Sequence, residues 1–330
     1  MRAFEYSRAA TPAAAIHAAA AGGAHFLAGG TTLVDLMKLD VVRPTALIDV
    51  NDLERDFGRI ESRPDGLHLG AFVRMADAAA HRDIRRDYPV IAQSLDLAAS
   101  QQIRNMASLG GNVLQRTRCP YFRDTSFDAC NKRTPGSGCA ALAGVNRKHA
   151  VLGTGGACIA TYPGDFAQAL IALDATVEIA GRDGARTIPF ETLHVAPGDT
   201  PDVETTLKPG DLVLGFTVPA APWTRRSVYL KIRDRESYEF ALASAAVALD
   251  LDGGTVREAR IALGGVATRP WRAREAEAAL KGRTLNETIA ARAADAAFAG
   301  AVTHGGNDDK PELGRRTLVR ALLLAAKLGA

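Results

Sequence analysis

Residues 26–38 read "FLAGGTTLVDLMK" and place two glycines and two threonines between an apolar run and an amphipathic one. The pattern predicts a short strand, a Gly-Gly turn and a helix that is capped by Thr31 or Thr32. Such a loop suits a pyrophosphate, because glycines let backbone N–H groups approach an anion and a helix N-terminus attracts one. It matches neither G-x-G-x-x-G nor G-x-x-x-x-G-K-[ST], and a purely structural turn stays open.

A second stretch, "NMASLGGNVLQ" at 105–115, repeats this chemistry with Ser108, Gly110, Gly111 and Asn112. Two loops of this kind could hold the extended phosphate bridge of a dinucleotide from opposite sides. A third stretch, "YPGD" at 162–165, predicts a turn from a strand into a helix with Asp165 at the N-cap. Asp165 would either cap that helix or accept a hydrogen bond from a ribityl or ribose hydroxyl.

The rest of the sequence contains both strand patterns and helix patterns. Strands are predicted by "PTALIDV" (44–50), "GLHLGAFV" (66–73), "ACIATY" (157–162), "ATVEIAG" (175–181), "ARTIPF" (185–190) and "DLVLGFTVPA" (211–220), with helical spacing between several of them. The stretch "PAAPWTRRS" at 219–227 predicts a linker. Three further strands and Ala-rich helices follow it. We therefore expect an α+β chain with an N-terminal domain at 1–220 and a C-terminal domain at 221–330.

Composition excludes several classes of protein. The 330 residues carry a net charge of +3 and no long basic run, so nucleic-acid binding is not indicated. The uncharged stretch from Ala13 to Val34 contains two histidines and several glycines, which makes it a poor membrane or signal segment. We expect no membrane insertion and no export signal on this chain.

All four cysteines fall in one window, three in "CPYFRDTSFDACNKRTPGSGC" (119–139) and the fourth in "GGACIATYPGD" at Cys158. Disulfides suit small secreted scaffolds rather than a long chain without an export signal. Zinc usually takes closer C-x₂₋₄-C pairs. An iron–sulfur cluster tolerates thiolates from separate loops, and basic residues and glycines surround the cysteines. The cluster is favoured, with zinc and disulfides as alternatives.

The two Gly-Gly loops, "YPGD" and "YLKIRDRESYEFALASAAVAL" (229–249) together resemble the FAD-binding medium subunit of the molybdenum hydroxylases, the xanthine dehydrogenase family. The cysteine insertion is similar to the [4Fe–4S]-containing flavin subunit of bacterial heterotrimeric aldehyde oxidoreductases. Gly164 departs from the family, whose members often have serine there. The resemblance covers essentially the whole chain.

The resemblance implies a vanillyl-alcohol-oxidase (PCMH)-type FAD-binding domain of two α/β subdomains, followed by a small C-terminal α+β domain of antiparallel strands and helices. The iron–sulfur insertion would occupy 119–158, with Cys119, Cys130, Cys139 and Cys158 as the cluster ligands. Lys231 would lie near the isoalloxazine ring and Ile48 near the adenine. The FAD contacts implied in this way are Phe26, Leu27, Ala28, Gly29, Gly30, Thr31, Thr32, Leu33, Val34, Ile48, Ser108, Gly110, Gly111, Asn112, Asp165 and Lys231.

Partners also follow from the resemblance. A large molybdenum-cofactor subunit would oxidise an aldehyde. A small subunit with two [2Fe–2S] clusters would relay the electrons to this chain, and the FAD of this chain would pass them to an external acceptor. The heterotrimer could be exported to the periplasm on a partner's twin-arginine signal, or else stay in the cytoplasm.

Two alternative functions remain: a free-standing FAD oxidase or dehydrogenase with structural cysteines, and a zinc-stabilised binding module without redox chemistry.

Overall fold

The chain opens with a parallel sheet. In the computed structural model, which describes residues 1–329, this sheet contains β1 (Glu5–Arg8), β2 (Ala24–Leu27) and β3 (Ala46–Asp49), with β3 in the centre. The helices α1 (Pro12–Ala18), α2 (Leu33–Lys38) and α3 (Glu54–Phe57) accompany it. The predicted strand, Gly-Gly turn and helix of residues 26–38 are therefore confirmed.

A second, antiparallel sheet follows. Its strands are β4 (Ile60–Arg63), β5 (Gly66–Gly70), β6 (Thr176–Gly181), β7 (Gly184–Pro189) and β8 (Leu212–Pro219), in the order β4-β5-β8-β6-β7. Seven helices lie between β5 and β6: α4 (Met75–Ala80), α5 (Arg82–Asp87), α6 (Pro89–Asp96), α7 (Gln101–Met106), α8 (Leu109–Val113), α9 (Pro120–Arg123) and α10 (Phe166–Ala172). The chain therefore leaves this sheet after β5, forms the seven helices and returns to the sheet at β6.

The C-terminal part is a third sheet covered by helices. Strands β9 (Ser227–Ile232), β10 (Ala243–Asp252), β11 (Thr255–Gly264) and β12 (Trp271–Arg272) are all antiparallel neighbours. Helices α11 (Arg274–Leu280), α12 (Glu287–Phe298) and α13 (Lys310–Ala326) follow. This arrangement confirms the expected α+β class, with two α/β subdomains before a small antiparallel domain.

One apolar core runs across the junction between the second sheet and the C-terminal sheet. Every residue of α10 is buried. The core around Phe166 also includes Tyr229 of β9, Ala246 and Ala248 of β10 and Ala262 of β11. The C-terminal sheet therefore completes the packing of α10 rather than forming a separate body.

One segment differs from the sequence prediction. The predicted strand at 157–162 is wrong: Cys158 makes only an isolated bridge with Gly155, and the segment is otherwise irregular. Its apolar residues are buried by surrounding loops, so their hydrophobicity does not reflect sheet pairing. The segment between β8 and β9 contains no helix or strand, as the predicted linker requires. Across residues 1–329, no helix is long and apolar enough to span a bilayer.

Candidate functional site

A cleft of about 760 Å³ lies between the two Gly-Gly loops and the C-terminal sheet, and we call it the main cleft. Its volume falls in the ordinary range for ligand sites. Thr31 and Thr32 of the first loop, Gly111 and Asn112 of the second, and Asp165 all line it. The structure thus brings together the three elements that the sequence predicted to share one ligand.

Glycine is required where the first loop meets the second. A Cβ added to Gly29 would lie 2.0 Å from the carbonyl oxygen of Met106, near the start of the second loop. Gly30 has φ +70°, which L side chains rarely adopt. Thr32 occupies the N-cap of α2, but its hydroxyl makes no cap hydrogen bond. That hydroxyl instead accepts a hydrogen bond from Arg118 at 3.4 Å, on the wall of the main cleft.

The second loop forms the first turn of α8. The Ser108 hydroxyl accepts a hydrogen bond from the N–H of Gly111 at 3.2 Å, which caps the helix. The Asn112 side chain donates to the sulfur of Met75 at 3.3 Å, while its Oδ1 is buried without a partner among the described residues. A buried amide oxygen facing a cleft needs a donor, so the loop fits a polar ligand there.

Asp165 and Lys231 form a buried ion pair. Their side chains are 4% and 1% exposed, and Lys231 Nζ lies 2.8 Å from Asp165 Oδ2. The Tyr229 hydroxyl donates to Asp165 Oδ1 at 2.6 Å, and Lys231 also donates to the carbonyl of Leu97 at 3.0 Å. The capping alternative for Asp165 is wrong, because its side chain makes no cap hydrogen bond to α10. Tyr229, which the sequence did not single out, orients the carboxylate.

Several predicted positions do not reach the lining of the main cleft. Lys231 lies behind Asp165, and Ile48 is 1% exposed in the centre of β3. Of the predicted run from Phe26 to Val34, only Thr31 and Thr32 line the cleft. The contacts predicted for the other positions remain predictions.

Basic side chains surround the main cleft. The lining includes Arg118, Arg123, Arg147, Lys148 and Arg235. Because Arg118 and Arg123 both contact Asp35 of α2, at 3.0 and 2.6 Å, they also hold the first loop to the cysteine window. The hydrogen bond from Arg123 is the main reason why the pKa of Asp35 is lowered. A positive rim suits a diphosphate. The sequence analysis did not predict it, because all of these residues except Arg235 lie near the cysteines in sequence and were associated with them.

The four cysteines line one small enclosed cavity, which we call the cysteine cavity. All four are free thiols, and Cys130 and Cys139 face each other in an isolated antiparallel bridge. Cys119 lines both this cavity and the main cleft. Within residues 1–329, no group of three or more His, Cys, Asp or Glu side chains is arranged to bind one metal ion.

The three residues after Cys130 tie the cysteine window together. The Asn131 side chain accepts from the N–H of Gly138 at 2.8 Å and donates to the carbonyl of Ala157 at 2.9 Å, so it links the neighbours of Cys139 and Cys158. Arg133 donates to the carbonyl oxygens of residues 121 and 122, which follow Cys119. Lys132 bonds to Glu204, which also binds Arg116. The cysteine positions are thereby preset by protein contacts.

Burial controls the chemistry of Cys119. It raises the pKa of the thiol to about 12, so the free side chain is a neutral thiol. His149 Nε2 lies 3.2 Å from Cys119 Sγ, and burial lowers the pKa of His149 to about 4. A metal centre would deprotonate the thiol, because coordination outweighs the cost of burying the charge.

Comparison with known proteins agrees with this geometry. Residues 2–221 match the family model described as the FAD binding domain in molybdopterin dehydrogenase, and residues 228–328 match the CO dehydrogenase flavoprotein C-terminal domain. The chain belongs to the FAD-binding subunits of the molybdenum hydroxylases. It is therefore an FAD-binding subunit of an oxidoreductase.

Individual relatives agree with the family assignment. The chain is 48% identical to the aldehyde oxidoreductase FAD-binding subunit PaoB of Escherichia coli K12, with 98% of each chain covered. It is 26% identical to the carbon monoxide dehydrogenase medium chain of Afipia carboxidovorans, over 90% of this chain and 85% of that one. The solved carbon monoxide dehydrogenase of Hydrogenophaga pseudoflava has a chain that superposes with a TM-score of 0.76 at 26% identity, covering 98% of this chain and 97% of that one.

Proposed function

We propose that this chain is the FAD- and [4Fe–4S]-containing electron-transfer subunit of a molybdenum-dependent aldehyde oxidoreductase. The observation that carries the proposal is Cys119, which lines both the main cleft and the cysteine cavity. A flavin and a cluster in these two spaces would share a wall one side chain thick. The 48% identity to a flavin subunit of an aldehyde oxidoreductase supports the same substrate class.

The main cleft would hold FAD through its backbone and its basic rim. Gly111 of the second loop would let its backbone approach the diphosphate, Thr31 and Thr32 would face it from the first loop, and the rim arginines would balance its charge. Asp165 would accept a hydrogen bond from the ribityl or phosphate region, and the buried Lys231 would lie on the isoalloxazine side. The flavin supplies hydride and single-electron chemistry when bound, and the protein supplies binding, orientation and electrostatics.

The cysteine cavity suits a [4Fe–4S] cluster by its donors and its surroundings. Four free thiols face one enclosed space, and the N–H of Ala160 points at Cys158 Sγ at 3.4 Å, which would stabilise a thiolate. Zinc remains the alternative outcome of the test.

The proposal also includes two partner subunits and a cellular location for the complex. The large subunit with the molybdenum cofactor would oxidise aldehyde and water to the carboxylic acid, and the small subunit with two [2Fe–2S] clusters would deliver the electrons. This chain would then pass them to an external acceptor. Co-export to the periplasm on a partner's twin-arginine signal is our proposal for the location, which fractionation of cells expressing all three subunits would test.

The test is metal and cofactor analysis of the purified full chain. We expect one FAD, about four irons and matching acid-labile sulfide per chain, with a low-temperature EPR signal after reduction. Cys130→Ser should lose the iron and the EPR signal. Stoichiometric zinc without that signal would overturn the cluster, and aldehyde turnover by the chain alone would favour a free-standing flavin enzyme.

A further inference from the structure

Two of the four cysteines face each other directly across a short ribbon of two chain segments. Cys130 and Cys139 form an isolated antiparallel bridge. One backbone hydrogen bond runs from the N–H after Cys130 to the carbonyl before Cys139, at 2.7 Å, and another from the N–H after Cys139 to the carbonyl before Cys130, at 2.9 Å. These bonds lie on either side of the cysteines, which makes them a non-hydrogen-bonded pair, the closer of the two kinds in an antiparallel ladder.

This geometry is what a cross-strand disulfide requires. In a non-hydrogen-bonded pair the Cα atoms lie about 4.5 Å apart, and the opposed side chains project to the same face of the ribbon. A disulfide joins Cα atoms that are about 4.4–6.8 Å apart. Cys130 and Cys139 also line the same cysteine cavity. The two thiols can therefore be joined with little movement of the backbone.

The turn between the two cysteines holds them in this register. The Ser137 hydroxyl accepts from the N–H of Cys130 at 3.0 Å and donates to the carbonyl of Thr134 at 2.7 Å. Gly136 and Gly138 have φ +84° and +96°, which L side chains rarely adopt, so glycines shape the return of the chain. Because this loop is short and already closed, a reaction between the two thiols carries a small entropic cost.

The two thiols differ in their access to solvent. Cys130 is 7% exposed and buried, whereas Cys139 is partly exposed. A small oxidant therefore reaches Cys139 first, and Cys130 lies opposite it as the thiol that completes the reaction. An accessible cysteine beside a second, resolving cysteine is the arrangement of redox-sensing pairs.

We propose that Cys130 and Cys139 are a redox-sensitive pair that forms a reversible disulfide, with a low-molecular-weight disulfide such as oxidised glutathione as the oxidant. The Cys139 thiol attacks the glutathione disulfide, forms a mixed disulfide and releases one glutathione thiol. Cys130 then attacks Cys139 Sγ, forms the protein disulfide and releases the second glutathione thiol. The cysteines lose two electrons and two protons, and the two glutathione thiols carry both.

The disulfide would control what the cysteine cavity can bind. It removes two of the four thiols that line the cavity, so an oxidised chain cannot supply four thiolates to a cluster. The pair itself requires only Cys130 and Cys139 and does not rest on the proposed function. Only this consequence for iron rests on it.

Disulfide mapping of the full chain tests the pair. Metal is removed with a chelator under dithiothreitol, and the desalted chain is treated with excess oxidised glutathione, alkylated and digested. Trypsin cleaves after Arg123, Lys132 and Arg147, so each cysteine lies on its own peptide. We expect the free thiols to fall from four to two, a link between peptides 124–132 and 134–147, and the return of all four thiols after dithiothreitol.

Variants of the four cysteines serve as controls. Cys158→Ser, the matched control, should form the same link as the wild type. Cys130→Ser should leave Cys139 as a glutathione adduct, because the resolving thiol is gone. Four remaining thiols in the wild type, or links that involve Cys119 or Cys158 instead, would overturn the inference.

Iron reconstitution separates this inference from the proposed function. The oxidised chain should take up several-fold less iron than the reduced chain. A chain that forms the link but takes up no iron when reduced keeps the inference and removes the cluster. A chain that takes up about four irons and never forms the link keeps the cluster and overturns the inference.

Discussion

At Gly29, a single methyl group decides whether the two loops can meet. Gly29→Ala would place its Cβ 2.0 Å from the Met106 carbonyl oxygen, so the loops must separate. We expect loss of bound FAD and destabilisation of about 1–3 kcal/mol. Gly300→Ala, which meets no atom within 4 Å, is the control. The FAD-to-protein ratio and denaturant unfolding measure both effects, and full FAD occupancy in Gly29→Ala would contradict the prediction.

The buried pair of Lys231 and Asp165 gives a second prediction. Lys231→Met leaves the Asp165 carboxylate buried without a cation, which should cost about 3–5 kcal/mol. Adding Asp165→Asn should restore most of the loss, because the uncompensated charge is then gone. In the exposed pair of Lys208 and Asp183, Lys208→Met should cost under about 1 kcal/mol. Urea unfolding of the three variants and the wild type tests this, and equal losses at the two lysines would contradict it.

Residue identities in the site were only partly predictable. The loop glycines, Asp165 and the four cysteines stand out in the sequence because their types and spacing are unusual. Tyr229 and Asp35 gave no such signal, since each acts through a partner far away in the chain. A hydrogen bond such as that from Tyr229 to Asp165 becomes visible only when β9 is placed beside the start of α10.

At the scale of elements, Asn131 joins the loops that carry Cys139 and Cys158. Asn131→Leu removes both of its side-chain hydrogen bonds while keeping the same branching at Cγ, so the two loops lose their preset spacing. We expect iron per chain to fall several-fold and chelators to remove the remainder faster, with FAD content unchanged. Asn286→Ala, which removes the N-cap of α12, should cost about 0.5–2 kcal/mol but no iron. Wild-type iron retention in Asn131→Leu would exclude the linking role.

Helix α13 begins at a buried amine that should make stability depend on pH. Lys310 is 3% exposed and donates to the carbonyl of Gly265, and burial lowers its pKa to about 7. Between this value and the ordinary lysine value of about 10.4, the unfolded chain binds more protons than the folded one. The free energy of unfolding should therefore rise with pH across that window. Lys310→Met should remove this rise, and parallel curves for the two proteins would contradict the assignment.

Secondary structure was predictable where one face of an element is buried. The strands and helices around the Gly-Gly loops follow from local periodicity. The strand prediction for residues 157–162 was wrong because loops on several sides bury this segment. Its sequence is therefore apolar, like that of a strand, although it does not pair in a sheet. The long-range ion pairs between α2 and the cysteine window likewise depend on tertiary contacts that periodicity does not encode.

For the whole molecule, the shared core predicts a single unfolding transition. Phe166 and Tyr229 belong to one apolar cluster although they lie in different domains. Arg272 of β12 also donates to the carbonyl of Ile171 and to Asp174 at the end of α10. Thermal melts followed by circular dichroism and by tryptophan fluorescence should therefore coincide. Two separated transitions would show that the domains unfold independently.

The complete burial of α10 has a consequence for synthesis of the chain on the ribosome. The residues that cover α10, in β9 to β11, are translated after the entire N-terminal part. Until they emerge, the nascent protein presents the apolar surface of this helix to the cytosol, where such surfaces promote aggregation. A chaperone that binds short apolar helices should therefore associate with the growing chain after α10 emerges and leave it once β11 is made.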